Sequence, residues 1–299
     1  MAEWTWELLA GPETITEGPA WDGEGLFYSS IAASEIRRYD RASGEIATVY
    51  RFTNATNGLI FGLNGMLYAC EQATGAIVRY NTKGEKTILR SKFNEMRLNS
   101  PNDLVLDSQG RIWFTDPRYG DQAGRELTHD SVYRLTPTDD DSQPWPIERL
   151  TTDTTRPNGL LLAPDEQTLF VAQSDYSGDR QLRAYPIHLD GSLQPPRVLH
   201  DFGVARGIDG MCWDSKGFIV ATCGWAQSGP GPRITVFAQD GTVIEDHRLP
   251  DGAPTNCVFG GPNLDELYVT TLEGHLYRVP DTGRRGILMP PGVRPFMGV

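Results

Sequence analysis

Three features of the 299-residue sequence predict an all-β fold: a six-bladed propeller of four-stranded antiparallel blades, closed by the N-terminal strand. First, an oxygen-bearing side chain followed by a short apolar strand occurs six times. Glu17 precedes Gly-Pro-Ala-Trp, Asn57 Gly-Leu-Ile-Phe, Asn102 Asp-Leu-Val-Leu, Asn158 Gly-Leu-Leu-Leu, Asp209 Gly-Met-Cys-Trp and Asn256 Cys-Val-Phe-Gly. Second, the copies lie 40, 45, 56, 51 and 47 residues apart, near the ~40–50 residues of one propeller blade. Third, 32 Gly and 21 Pro beside 39% hydrophobic residues suit many short strands joined by tight turns. A single unit of this kind cannot bury its own apolar face, so the units must stack.

Taken in order, the first blade is expected from Gly18 to Trp21, Leu26 to Ser30, Ile36 to Tyr39 and Ile46 to Tyr50, with turns at Asp22-Gly23-Glu24-Gly25 and Arg41-Ala42-Ser43-Gly44. The second repeats it at Leu59 to Phe61, Met66 to Cys70, Ala76 to Tyr80 and Lys86 to Arg90. The third is Leu104 to Leu106, Arg111 to Thr115, Ser131 to Leu135 and Ile147 to Leu150, with longer inserts between. The fourth is Leu160 to Leu162, Thr168 to Ala172, Leu182 to Ile187 and Val198 to Asp201. The fifth is Met211 to Trp213, Phe218 to Thr222, Ile234 to Ala238 and Val243 to Leu249. The sixth has three strands of its own, Val258-Phe259, Glu266 to Thr270 and His275 to Val279. The alternation Trp4, Trp6, Leu8 predicts a strand over Trp4 to Leu9 that supplies the fourth and removes an open edge. A Pro/Gly-rich tail follows Leu288-Met289. No linker divides the chain, so residues 1–299 read as one propeller domain.

Charge and composition narrow the function. Lys and Arg number 27 against 39 acids, a net charge of −12 without a basic run, which argues against nucleic acid as a partner. The start Met-Ala-Glu-Trp-Thr-Trp has no basic region or long apolar run, so the expectation is a cytoplasmic protein with no membrane partner. Cys70, Cys212, Cys223 and Cys257 have no CxxC spacing and are expected as reduced, structural thiols. The five histidines show no mutual spacing, and no nucleophile elbow, phosphate loop or zinc-protease motif is present. Nothing in the sequence fixes an oligomeric state.

In a propeller the first strand of each blade is innermost, so the six oxygen side chains should converge at one mouth of the central tunnel. Oxygen donors without thiol or imidazole make a hard set suited to Ca²⁺, Mg²⁺ or Mn²⁺. Glu17 and Asp209 supply two charges, and Asn102 and Asn158 neutral carbonyl oxygens. Asn and Asp at such positions are also ordinary turn residues, whereas Glu17 is not. The loops leaving the second strands should wall the pocket, which makes Asp116, Tyr119, Tyr176 and Trp225 candidate substrate contacts.

These segments resemble a known family. Thr16-Glu17-Gly18-Pro19-Ala20-Trp21, Arg97-Leu98-Asn99-Ser100-Pro101-Asn102-Asp103-Leu104, Phe114-Thr115-Asp116-Pro117-Arg118-Tyr119-Gly120, Arg156-Pro157-Asn158-Gly159 and Gly207-Ile208-Asp209-Gly210-Met211 are similar to the gluconolactonase and senescence-marker-protein (regucalcin) family of six-bladed propellers. The resemblance implies one divalent metal, Ca²⁺ first with Mg²⁺, Mn²⁺ or Zn²⁺ as alternatives, held by Glu17, Asn158 and Asp209. It makes Asn102 a ligand or substrate contact and puts Asn57 and Asn256 on the pocket wall. Ser100 stands where animal members carry an Arg. The implied activity is hydrolysis of a small lactone, a sugar lactone such as gluconolactone, with Asp209 steering or deprotonating the attacking water. Organophosphate or aryl-ester hydrolysis on the same scaffold is the enzymatic alternative, and a non-catalytic calcium-binding regulator is the alternative of another class.

Overall fold

The computed structural model describes residues 3–140 and 142–288, and every regular element among them is a strand. Six four-stranded antiparallel sheets follow one another along the chain. Their innermost strands are Thr16–Trp21, Thr56–Phe61, Leu104–Leu106, Pro157–Leu162, Ile208–Trp213 and Pro254–Gly260. In the first five blades the next three strands pair outward in sequence order. No helix among the described residues is long and apolar enough to cross a membrane.

The turns between first and second strands form because an aspartate substitutes for backbone acceptors, as Asx turns do. Asp22 Oδ1 accepts from Glu24 N at 2.8 Å, Asp107 Oδ1 from Gln109 N (3.0 Å) and Arg111 N (2.9 Å), and Asp214 Oδ1 from Lys216 N (2.9 Å) and Phe218 N (2.8 Å). Blade faces then pack through aromatic side chains. Phe27 meets Phe61 edge-on at 5.1 Å between blades 1 and 2, Phe170 meets Trp213 at 5.4 Å between blades 4 and 5, and Trp21 stacks on Tyr268 at 5.6 Å between blades 1 and 6. Burying each such side chain stabilises the stack by roughly 2–3 kcal/mol.

The ring closes as expected, with a shifted strand. Glu7–Ala10, rather than Trp4 to Leu9, pairs antiparallel with Leu276–Val279 as the outer strand of blade 6. Trp4 turns inward instead: its indole N–H donates to Thr282 O at 3.2 Å and its ring stacks on His247 at 3.7 Å. Glu7 accepts from Arg278 Nε at 2.9 Å across the same pairing. An additional hairpin, Lys92–Phe93 with Met96–Arg97, lies between blades 2 and 3. Its turn residues Asn94 and Glu95 both have positive φ, +48° and +64°, the type I′ geometry that suits a twisted hairpin. The tail beyond Leu288 lies outside the described residues. All four cysteines are buried and unpaired.

Candidate functional site

Five of the six innermost strands carry a bulge near the same level, the residues just ahead of the blade 3 strand take a matching relation, and together they build the site. Pairing skips from Thr56↔Glu71 to Leu59↔Ala69, so Asn57-Gly58 oppose Cys70 alone; likewise Asn158-Gly159 oppose Ala172, and Asp209-Gly210 oppose Thr222. In blade 3, Asn102 N donates to Thr115 O (2.9 Å) and Thr115 N to Asp103 O (3.0 Å), placing Asn102-Asp103 in the same relation. Two residues against one take the first side chain off the regular alternation and re-aim it.

The second bulge position is crowded, since neighbouring inner strands touch there. Gly58 N donates to Asn102 O at 2.8 Å. A Cβ on Gly159 would stand 2.4 Å from the Asp209 carbonyl oxygen, and one on Gly210 2.1 Å from the Asn256 carboxamide. Gly159→Ala meets backbone rather than a movable side chain, so it should cost about 3 kcal/mol; a denaturant midpoint unchanged from wild type would contradict this packing.

The bulges also correct the register of the repeat. Asn57, Asn102, Asn158 and Asp209 share the first bulge position. Glu17 pairs with Ser29 one residue before its bulge, and Asn256 falls in the second position of its own, after Thr255. Asn256 therefore sits level with Asp103, and its Nδ2 lies 3.4 Å from Asp103 Oδ2.

Asn158 and Asp209 line one cleft, and the Glu17 carboxyl lies within electrostatic reach of Asp209. Glu17 is buried and accepts from Gly18 N at 2.6 Å. Burial, then the negative charges of Asp209 and Asp103, push its carboxyl well above the usual carboxylate range. Burial also raises Asp209, opposed by the guanidinium of Arg206 and by the amide of Asn158. Arg206 Nη2 donates to Asp209 while its Nη1 donates to Gly224 O and Pro254 O, both at 2.9 Å, so one buried arginine ties the carboxylate to blade 6.

Two of these residues, Asp103 and Arg206, escaped the sequence reading. Asp103 is a third buried carboxylate, pushed up to about 7 by burial despite the bond from Leu104 N at 2.9 Å. Its signal was an acid where the Asn57, Asn158 and Asp209 copies carry glycine. Three carboxylates within electrostatic reach and one guanidinium to offset them form a site that favours protons or a cation. Asn57 Oδ1 adds a buried oxygen with no hydrogen-bond partner among the described residues. No three of His, Cys, Asp or Glu among the described residues are grouped to hold an ion unaided; a cation would rest on carboxylate and amide oxygens together.

The expected wall residues separate into three groups. Tyr176 lines a cleft with Asn158, Ser174, Arg180, Arg206 and Asp209, and Tyr119 stands 6.0 Å from it, ring to ring, with its hydroxyl on Arg156 O at 3.2 Å. Asp116 faces no cleft. It is fully buried, and its two oxygens accept from Asn99 N and Ser100 N at 2.8 Å each, fastening the loop that delivers Asn102 and Asp103. Trp225 ends the second strand of blade 5 opposite Ser228, outside the cleft. Below the bulges lies a second cavity, about 100 Å³, with apolar walls from Leu104, Leu160 and Met211, Asp103 and Asn256 on its lining, and Ile287 and Leu288 beside them. No histidine lines either space.

Comparison with known proteins gives the same outline. A sequence model described as the SMP-30/Gluconolactonase/LRE-like region matches residues 15–273. A gluconolactonase of Zymomonas mobilis is 29% identical over 282 residues, 85% of this chain and 75% of that protein. A 6-deoxy-6-sulfogluconolactonase of Pseudomonas putida is 25% identical, covering 88% and 85%. The solved structure of a gluconolactonase from Xanthomonas campestris superposes with a TM-score of 0.81 at 31% identity, over 93% of this chain and 89% of that one. With the match spanning the innermost strands of all six blades and the bulge residues at the mouth, the chain belongs to the SMP-30/gluconolactonase/LRE-like family.

Proposed function

We propose that the protein is a divalent-metal-dependent lactonase that opens a sugar lactone by attack of water on the ring carbonyl. What supports this reading is that Asn158 and Asp209 line one cleft with the exposed ring of Tyr176, with the buried Glu17 carboxyl within electrostatic reach of Asp209. The named gluconolactonase relatives support it.

Glu17, Asn158 and Asp209, with Asn102 at their edge, are the residues that would hold the metal, Ca²⁺ first by its preference for oxygen donors. When bound, it would supply the positive charge that polarises the carbonyl and acidifies a nearby water. Asp209 would orient that water and take its proton, with Arg206 holding the carboxylate. Asp116 holds Asn102 in place through the 99–100 backbone, and Tyr176 offers a face to the sugar.

The test is a panel of sugar lactones, an aryl ester and a phosphotriester assayed at neutral pH on stripped protein with each divalent metal returned in turn. Lactone opening that vanishes with chelator and returns with metal is the expected result. Turnover confined to the ester or phosphotriester would give the site to the alternative hydrolysis. Metal binding without any turnover would leave a regulatory propeller.

A further inference from the structure

The cleft beside the carboxylates is basic in a chain of net charge −12: among its lining residues Arg180 and Arg206 face a single acid, Asp209. A third arginine, Arg156, stands at its rim two residues before Asn158. Its backbone is left-handed, φ +54°, a conformation that costs a non-glycine residue free energy and persists only where the surroundings enforce it. Here they do: Arg156 N donates to Asp130 Oδ2 at 3.2 Å, and its carbonyl accepts from Ser174 N and the Tyr119 hydroxyl, each at 3.2 Å.

What this holds in place is a guanidinium with its donors unspent. It lies 5.9 Å from the centre of the Tyr176 ring, and its nearest acid, Asp175 Oδ1, is 3.7 Å away and already accepts from Ser177 N and Oγ. No hydrogen bond joins the Arg156 guanidinium to any described residue. Arg180 differs, since its N–H groups are committed to the carbonyls of Asp175, Tyr176, Val204 and Ala205. It contributes charge and rigidity, whereas Arg156 has a planar fork free to donate to two oxygens. Tyr176, 54% exposed, adds an apolar face beside that fork.

Resting on the lactonase reading above, we infer that Arg156 and Tyr176 form a subsite for the end of the substrate remote from the reacting carbonyl. The end it selects is anionic: the preferred substrates are sugar lactones that carry a carboxylate, phosphate or sulfonate. Arg156 is a specificity-determining residue, and Arg180 supplies background charge that keeps an anion favourable there, since Arg206 is already paired with Asp209.

Two measurements on metal-loaded protein test this. The first is kcat/KM for glucaro-1,4-lactone, which bears a free carboxylate, relative to neutral glucono-1,5-lactone. The second is calorimetric affinity for glucarate relative to gluconate, neither of which is hydrolysed. Wild type should favour the more anionic member of each pair about tenfold or more. Arg156→Gln should collapse both ratios, with Arg156→Lys recovering part of them. Equal ratios in wild type, or the same ratio in the Gln variant, would overturn the proposal. If no lactone is opened under any metal, the lactonase reading fails while the affinity ratio still decides the anion subsite.

Discussion

Asp209→Asn should lower kcat for lactone opening by about 10³-fold, the scale at which a positioned acid–base group contributes together with the charge it places near the reacting atoms. The amide keeps the size of the side chain and a carbonyl for Arg206, so the fold should persist, with a melting temperature close to that of wild type. Steady-state kinetics on metal-saturated protein, read beside a thermal melt, separate the two effects. A variant within threefold of wild type would take Asp209 out of the chemistry and leave it only a tether for Arg206.

A second large effect concerns stability. The carboxyl of Asp103 goes from an ordinary 3.8 to about 7 on folding, so between those values the native state holds a proton that the unfolded chain has released. By linkage, the metal-free protein then loses stability as pH rises from about 4 to about 7, by about 4 kcal/mol in all for this one group. Asp103→Asn is neutral at every pH and still accepts from Leu104 N. The stripped variant should therefore exceed wild type by roughly 3–4 kcal/mol at pH 8 and match it near pH 4, measured by denaturant midpoints. Identical pH profiles for the two proteins would show that Asp103 keeps its ordinary pKa inside the fold. Added Ca²⁺ should narrow the gap at pH 8 by stabilising the ionised wild type.

The fold was legible because each blade states its turns in Asp and Gly and its strands in apolar runs, as in Asp22 to Gly25 and Asp214 to Gly217. Glu17, Asn158 and Asp209 stand out with three other polar residues ahead of those runs, and it is the family resemblance that singles them out among the six. The bulge was not legible. An extra residue such as Pro19 or Thr255 looks like strand interior, so spacing alone leaves blades 1 and 6 one residue out of register and sets Asn256 level with Asn57 instead of Asp103. Asp103 itself was hidden behind Asn102, which fills the expected place. Asp116 and Trp225 show the limit of loop position: it puts a residue near the mouth and says nothing about which way its side chain turns. The Asp116 carboxylate turns to unpaired backbone N–H groups, which bind it more firmly than an open cleft would.

The clasp between Glu7–Ala10 and Leu276–Val279 carries a consequence for the order of assembly. Its ion pair joins residues 271 positions apart, so the entropy of closing that loop is gained back only when the ring is otherwise complete. The seam of blade 6 is then the last joint to form and the first to part, and native-state hydrogen exchange should find its amides opening ahead of those in blades 2 to 5.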